Sequence, residues 1–166
     1  MTGAFTILGA NGRIGRALTA ALGADGITRA SLADFLSSRR PAGHVISCIG
    51  LTGDFRARPL DTAEAHVGIT ARVLARGGFD SFLYLSSTRV YAHAETTRPG
   101  LALAQDPADP SDLYNLTKLA GEALCLSDPR PEVRVVRLSN VYGPDPDPDT
   151  FLGQLLAEGF ATGRVT

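Results

Sequence analysis

Near the start of the chain a short apolar run, Ala4 to Leu8, ends in three glycines spaced three apart: Gly9-Ala10-Asn11-Gly12-Arg13-Ile14-Gly15. Helical spacing follows, with Ile14, Leu18 and Leu22 on one face. A buried strand that turns sharply into a helix is the opening of a βαβ unit, and each glycine has a physical role in it. Gly9 allows the tight turn, Gly12 removes a Cβ where a pyrophosphate backbone would approach, and Gly15 lets the helix pack closely on the strand. The free N–H groups of the helix N-terminus then face the phosphates. The spacing is G-x-x-G-x-x-G, not the commoner G-x-G-x-x-G, so the strand-turn-helix context carries the argument for a dinucleotide site.

The rest of the chain repeats the alternation. Strands are expected at Ile27 to Ala30, His44 to Ile49, Ser81 to Leu85 and Val133 to Leu138. Helices are expected at Leu32 to Ser38, Asp61 to Arg76, about Ser111 to Leu126 with Ser111 as N-cap, and Phe151 to Glu158. This pattern predicts an α/β fold, a Rossmann-type doubly wound parallel sheet. Pro144, Pro146 and Pro148 form a stiff acidic turn, and Ala92 to Pro110 is a long stretch without periodicity, expected to be functional or mobile. No internal repeat is present.

At 166 residues the chain has room for one domain or slightly more. A net charge of −1 gives no footprint for nucleic acid or a membrane surface. No stretch reaches the length of a membrane span, and the N-terminus lacks the basic start of a signal peptide. Cys48 and Cys125 make no disulfide framework, so a cytoplasmic location is expected. Fifteen arginines stand against a single lysine, Lys118, which marks that position as one where an ammonium is specifically needed.

Tyr114 and Lys118 lie four apart on a predicted helix and share a face. An adjacent ammonium lowers a phenol's pKa, which makes Tyr114 an expected acid/base. Ser86, Ser87 and Thr88 follow a strand, at the end where open α/β sheets bind ligands. For the cofactor, an arginine after the second strand suits the 2′-phosphate of NADP and a carboxylate there suits NAD. Arg29 stands near that position and Arg13 beside the turn, which favours NADP over NAD; Asp34 is the competing candidate.

These motifs, in this order, resemble a known family. The glycine turn, Leu85-Ser86-Ser87-Thr88-Arg89-Val90-Tyr91, Tyr114-Asn115-Leu116-Thr117-Lys118 and Arg137-Leu138-Ser139-Asn140-Val141-Tyr142-Gly143-Pro144 are similar to those of the extended short-chain dehydrogenase/reductases, the NAD-dependent epimerase/dehydratase family. The resemblance runs through essentially the whole chain. It implies that Ser87 polarises the reacting C–O group, that Tyr114 moves the hydroxyl proton, and that Lys118 tunes Tyr114 and holds the ribose. It implies Thr88 and Asn140 near the substrate and Val141 by the nicotinamide. Gly9, Asn11, Gly12, Arg13, Ile14, Gly15, Arg29, Ile49 and Val141, with Tyr114 and Lys118, make the expected cofactor-binding set, with no metal. The implied activity is an NAD(P)-dependent epimerase or reductase acting on a carbinol or carbonyl carbon of a small-molecule substrate such as a nucleotide-sugar, in a homodimer.

Some positions depart from the family pattern. Thr88-Arg89 stands where dehydratases carry an acidic pair, which argues against 4,6-dehydration. Ala92 replaces a glycine. His66 stands where an asparagine often steadies the active-site helix, and is expected to be a structural histidine. The segment before the His44 strand is short enough for a family strand to be missing. Residues 1–148 are expected to form the dinucleotide-binding domain and 149–166 the start of a truncated substrate-binding region. That leaves, as the alternative, a non-catalytic dinucleotide-binding module or a fragment of a larger enzyme.

Overall fold

The computed structural model describes residues 4–51, 53–98, 100–142 and 151–164. Five strands form one parallel sheet: β1 (Phe5–Leu8), β2 (Asp25–Ile27), β3 (His44–Ser47), β4 (Ser81–Ser87) and β5 (Val133–Leu138), in the order β2-β1-β3-β4-β5. The chain leaves β1 towards β2 on one side and returns to β3 on the other. The β1/β3 boundary is therefore the switch point, where the C-terminal strand ends open a crevice. Ile7 and Leu8 point to opposite faces and both are fully buried, so the sheet is covered on both sides as a parallel sheet must be.

The covering helices are α1 (Arg13–Leu22), α2 (Leu32–Ser37), α3 (Pro59–Ala63), α4 (Ile69–Arg76) and α5 (Asp112–Leu126); α6 (Phe151–Thr162) follows β5. Phe35 of α2, Val73 of α4 and Cys125 of α5 share one core cluster with Leu8, Val45, Phe82, Tyr84 and Val133 from the strands. α1 packs on β1 and β2.

The Rossmann-type sheet agrees with the sequence pattern, with local differences. β2 ends at Ile27 rather than starting there. Thr28 and Ser31 then bond each other, Thr28 N–H donating to Ser31 Oγ at 3.0 Å, and this turn replaces strand with a bend that leaves Arg29 exposed. β4 runs on to Ser87, so Ser86 and Ser87 are strand residues on opposite faces. The expected single helix over Asp61 to Arg76 starts earlier, with Pro59 in its first turn, and contains a π-helical turn at Glu64–Gly68 between α3 and α4. Ser111 makes no capping bond; its Oγ instead accepts from Arg56 Nη2 at 2.9 Å. β2 is the sheet edge among the described residues, consistent with the shortened segment before β3. The proline-rich turn at 143–150, and with it the expected 148/149 boundary, lies outside the described residues.

The aperiodic stretch after β4 is held at defined points. The buried carboxylate of Asp112, at the start of α5, accepts from Asp106 N–H at 2.8 Å and pairs with His93 Nε2 at 2.7 Å. Those hydrogen bonds hold its pKa below the usual carboxylate range. Gln105 Nε2 donates to Val90 O at 3.0 Å.

Candidate functional site

The glycine turn occupies the end of β1. Gly9 has φ +81°, in the left-handed region that favours glycine, and its N–H donates to Ile27 O at 2.8 Å. Gly12 N–H closes the turn onto Gly9 O at 3.0 Å. A Cβ on Gly15 would overlap Gly9 O, so close packing of helix on turn requires glycine there. Gly12 caps α1 without a side chain, and α1 has no acidic residue in its first turn. Its N-terminal N–H groups and dipole therefore favour an anion.

Next to this turn lies a cleft of about 560 Å³ at the C-terminal strand ends. Ile14 and Ile49 line it, as do Ser87, Thr88, Tyr114, Lys118, Asn140 and Val141. Gly9, Asn11, Gly12 and Arg13 belong to the adjoining turn rather than the cleft lining. Arg29 sits on the exposed bend two residues beyond Ile27, whose carbonyl accepts from Gly9 and Ala10.

α5 presents Tyr114 and Lys118 to this cleft from one face. Lys118 is 4% exposed, and its Nζ donates to Leu85 O at 3.0 Å. Burial is the main cause that lowers its pKa to about 8, with Glu122 and Cys48 opposing. The Lys118 Nζ lies 5.9 Å from the Tyr114 ring centre. The expected lowering of the Tyr114 pKa does not hold. Burial of the phenol raises it, and the pull in the other direction comes from the Ser87 hydroxyl and the Arg89 guanidinium.

The two strand-end serines divide their work. Ser86 Oγ donates to Glu122 Oε1. Arg137 grips the same buried carboxylate, Nε to Oε1 at 2.9 Å and Nη2 to Oε2 at 2.6 Å, and its Nη1 donates to Tyr91 Oη at 2.6 Å. Ser86 is thereby committed to a clamp joining β4, α5 and β5. Ser87, on the other face of the strand, accepts from Arg89 N–H at 3.1 Å and acts on Tyr114.

His66 lies in the π-helical turn and is fully buried. Thr117 Oγ1 donates to the α5 carbonyls, Leu113 O lying at 2.8 Å, so its oxygen accepts from His66 Nδ1–H at 2.8 Å. His66 Nε2 then accepts from Leu51 N–H at 3.4 Å. Burial, with Lys118 nearby, lowers the imidazole pKa to about 3. A neutral ring with both nitrogens bonded, edge-on to Tyr114 at 5.1 Å, is a structural prop for α5.

Sequence reasoning missed the clamp of Glu122 on Ser86 and Arg137, and the role of Gly50. A Cβ on Gly50 would meet His66 Nε2 at 3.3 Å and Lys118 Nζ at 3.4 Å. The only available signal was its position as the glycine closing the strand.

A parallel sheet wound in this order, with a glycine turn at its switch point, defines a Rossmann-type α/β protein. The model of the NAD dependent epimerase/dehydratase family matches residues 25–162, and the chain belongs to that family. GDP-mannose 3,5-epimerase 1 of Oryza sativa subsp. indica is 38% identical over 73 residues, 40% of this chain and 19% of that protein. Among solved structures, UDP-glucuronic acid 4-epimerase from Bacillus cereus in complex with NAD has a TM-score of 0.70 at 20% identity, over 95% of this chain and 62% of that one. The dTDP-4-dehydrorhamnose reductase of Bacillus anthracis in complex with NADP has a TM-score of 0.70 at 19% identity, over 97% of this chain and 61% of that one. The chain thus spans about a fifth of its curated relative and about three fifths of these solved neighbours. Among the described residues no helix is long and apolar enough to cross a membrane.

Proposed function

We propose that this chain is the dinucleotide-binding and catalytic part of an NAD(P)-dependent epimerase or reductase, acting on a carbinol or carbonyl carbon of a nucleotide-sugar or a similar hydroxylated substrate. The observation that supports it most is the convergence of Ser87, Tyr114 and Lys118 on one cleft beside the glycine turn. A bound nicotinamide supplies hydride transfer; the remaining work falls to the chain. Gly9 and Gly12 shape the turn around the pyrophosphate, Asn11, Arg13 and Gly15 offer it backbone N–H groups, and Ile14, Ile49 and Val141 give the ring an apolar bed. Arg29, beside the turn, favours NADP over NAD. Lys118 directs its free donors to ribose hydroxyls. Ser87 polarises the substrate oxygen, with Thr88 and Asn140 alongside. Tyr114 donates a proton to that oxygen in reduction and takes it back in oxidation.

Burial keeps the Tyr114 phenol protonated at neutral pH, which suits proton donation in the reductive direction. Residues 1–148 form this unit in the proposal, and 149–166 begin a substrate-binding region. The assembly is a homodimer.

Tyr114→Phe tests the assignment. With a panel of nucleotide-sugars and nicotinamide absorbance as readout, turnover is expected to fall at least about 100-fold while NADPH affinity is kept. Unchanged turnover removes Tyr114 from the chemistry.

A further inference from the structure

Two guanidinium groups share one benzene ring beside the cleft. Arg56 lies over Phe55 at 4.5 Å and Arg89 over the same ring at 5.3 Å, with Arg89 also 5.7 Å from the centre of the Tyr114 ring. Neither guanidinium pairs with a carboxylate among the described residues; Arg56 bonds Ser111 Oγ, and Arg89 has only its ring contacts. Among the described residues that line the cleft, Arg89 and Lys118 are cations and no aspartate or glutamate is present. Glu122 offsets the Lys118 charge, whereas Arg56 and Arg89 gather on one ring with no carboxylate bonded to either, an arrangement that is unfavourable until an anion arrives.

Resting on the proposed reading, we infer that Arg89 is a substrate subsite that reads a carboxylate carried on a carbon next to the reacting one. Arg89 does not serve the anion at the glycine turn. It leaves β4, the turn leaves β1, and β3 lies between, a separation of about 10 Å at the usual strand spacing. Arg89 lines the same cleft as Tyr114, its guanidinium 5.7 Å from the ring centre, so an anion bonded to Arg89 shares the cleft with the oxygen that exchanges a proton with the phenol. A uronic acid reacting at C4 or a 3-hydroxy acid has its carboxylate on the carbon next to the reacting one, whereas a diphosphate on the anomeric oxygen is several bonds further away. The planar guanidinium offers two parallel N–H donors to a carboxylate, and its seat on two aromatic rings reduces the rotamer freedom lost on binding.

The test uses NADPH-saturated protein, with binding read by saturation-transfer NMR. The probes are D-glucuronate, D-glucose and inorganic pyrophosphate. Glucuronate is expected to bind at least about tenfold more tightly than glucose. Arg89→Gln is expected to erase that preference and Arg89→Lys to keep part of it, with NADPH affinity unchanged in both. Equal binding of acid and sugar, or a preference that survives Arg89→Gln, overturns the subsite. Pyrophosphate that displaces glucuronate in wild type but loses its own binding in Arg89→Gln overturns the carboxylate in favour of a diphosphate. Failure of the wild type to bind NADPH sinks the cofactor reading instead, and the acid-against-sugar comparison in cofactor-free protein still decides Arg89.

Discussion

His66 and Lys118 show how burial sets the chemistry at single residues. The imidazole of His66 has a pKa of about 3 in the fold against the ordinary 6.5. The unfolded chain therefore binds this proton first, and the stability that neutral His66 contributes is present above pH 6.5 and lost as pH falls towards 3. The acid limb of the stability curve is expected to steepen by up to about 1.4 kcal/mol per pH unit in that window. Denaturant unfolding from neutral to acid pH should show this limb in wild type and a flatter one in His66→Asn; identical slopes would assign the limb elsewhere. Lys118, with its pKa lowered to about 8, carries its charge below that pH and loses it above. The proposed role of Lys118 as ribose anchor makes dinucleotide binding favour the charged form, so NADPH affinity is expected to weaken as pH rises past about 8, and Lys118→Met is expected to be weaker and flat. A wild-type affinity flat across this range removes Lys118 from the cofactor site. Tyr-x-x-x-Lys was legible in the sequence, but the direction of the Tyr114 shift was not, because desolvation depends on Phe55 and His66, which reach the ring from distant segments.

At the scale of elements, the contact of α5 with β4 and the π-helical turn fixes the face that carries Tyr114 and Lys118. Gly121 makes this contact possible: a Cβ there would overlap the Tyr84 hydroxyl and the His66 carbonyl oxygen. Tyr84 Oη donates to that same carbonyl at 3.3 Å. Gly121→Ala is expected to cost about 1–3 kcal/mol through overpacking. Tyr84→Phe in the same chain should recover part of the loss by removing the nearest of the three clashing atoms, the hydroxyl, and leaving the ring carbon and the His66 carbonyl, measured as a double-mutant cycle in denaturant. Additive losses would mean that the helix simply shifts. Periodicity located α5 and β5 closely, since both carry strong patterns over many residues. It misplaced β2 at Ile27 to Ala30, where the Thr28–Ser31 turn instead ends the three-residue strand Asp25–Ile27. It also had no signal for the π-helical turn, because one extra residue in a helical turn leaves apolar spacing almost unchanged. The anchoring of the stretch before α5 on Asp112 was hidden for a different reason: its partners, Asp106 and His93, lie 6 and 19 residues away.

For the whole molecule, strand order carries the functional argument. The winding places β1 and β3 at the switch point and brings the glycine turn, the β4 serines and the α5 pair to the same end of the sheet. That convergence was legible as soon as strands and helices alternated, because handedness and strand-end binding follow from the parallel arrangement. The clamp of Glu122 on Ser86 and Arg137, and the sharing of Phe55 by two arginines, were not legible. Each joins segments whose proximity only the completed fold creates.

Parallel fluorescence titrations with NADPH and NADH test whether the cleft and the glycine turn hold a nicotinamide dinucleotide as proposed. Saturable binding of both is expected, with NADPH the tighter. NADH binding more tightly would reduce Arg29 to a surface charge and leave the site intact. Absence of saturable binding by either, in protein that carries no cofactor from purification, would rule out a dinucleotide site at the glycine turn.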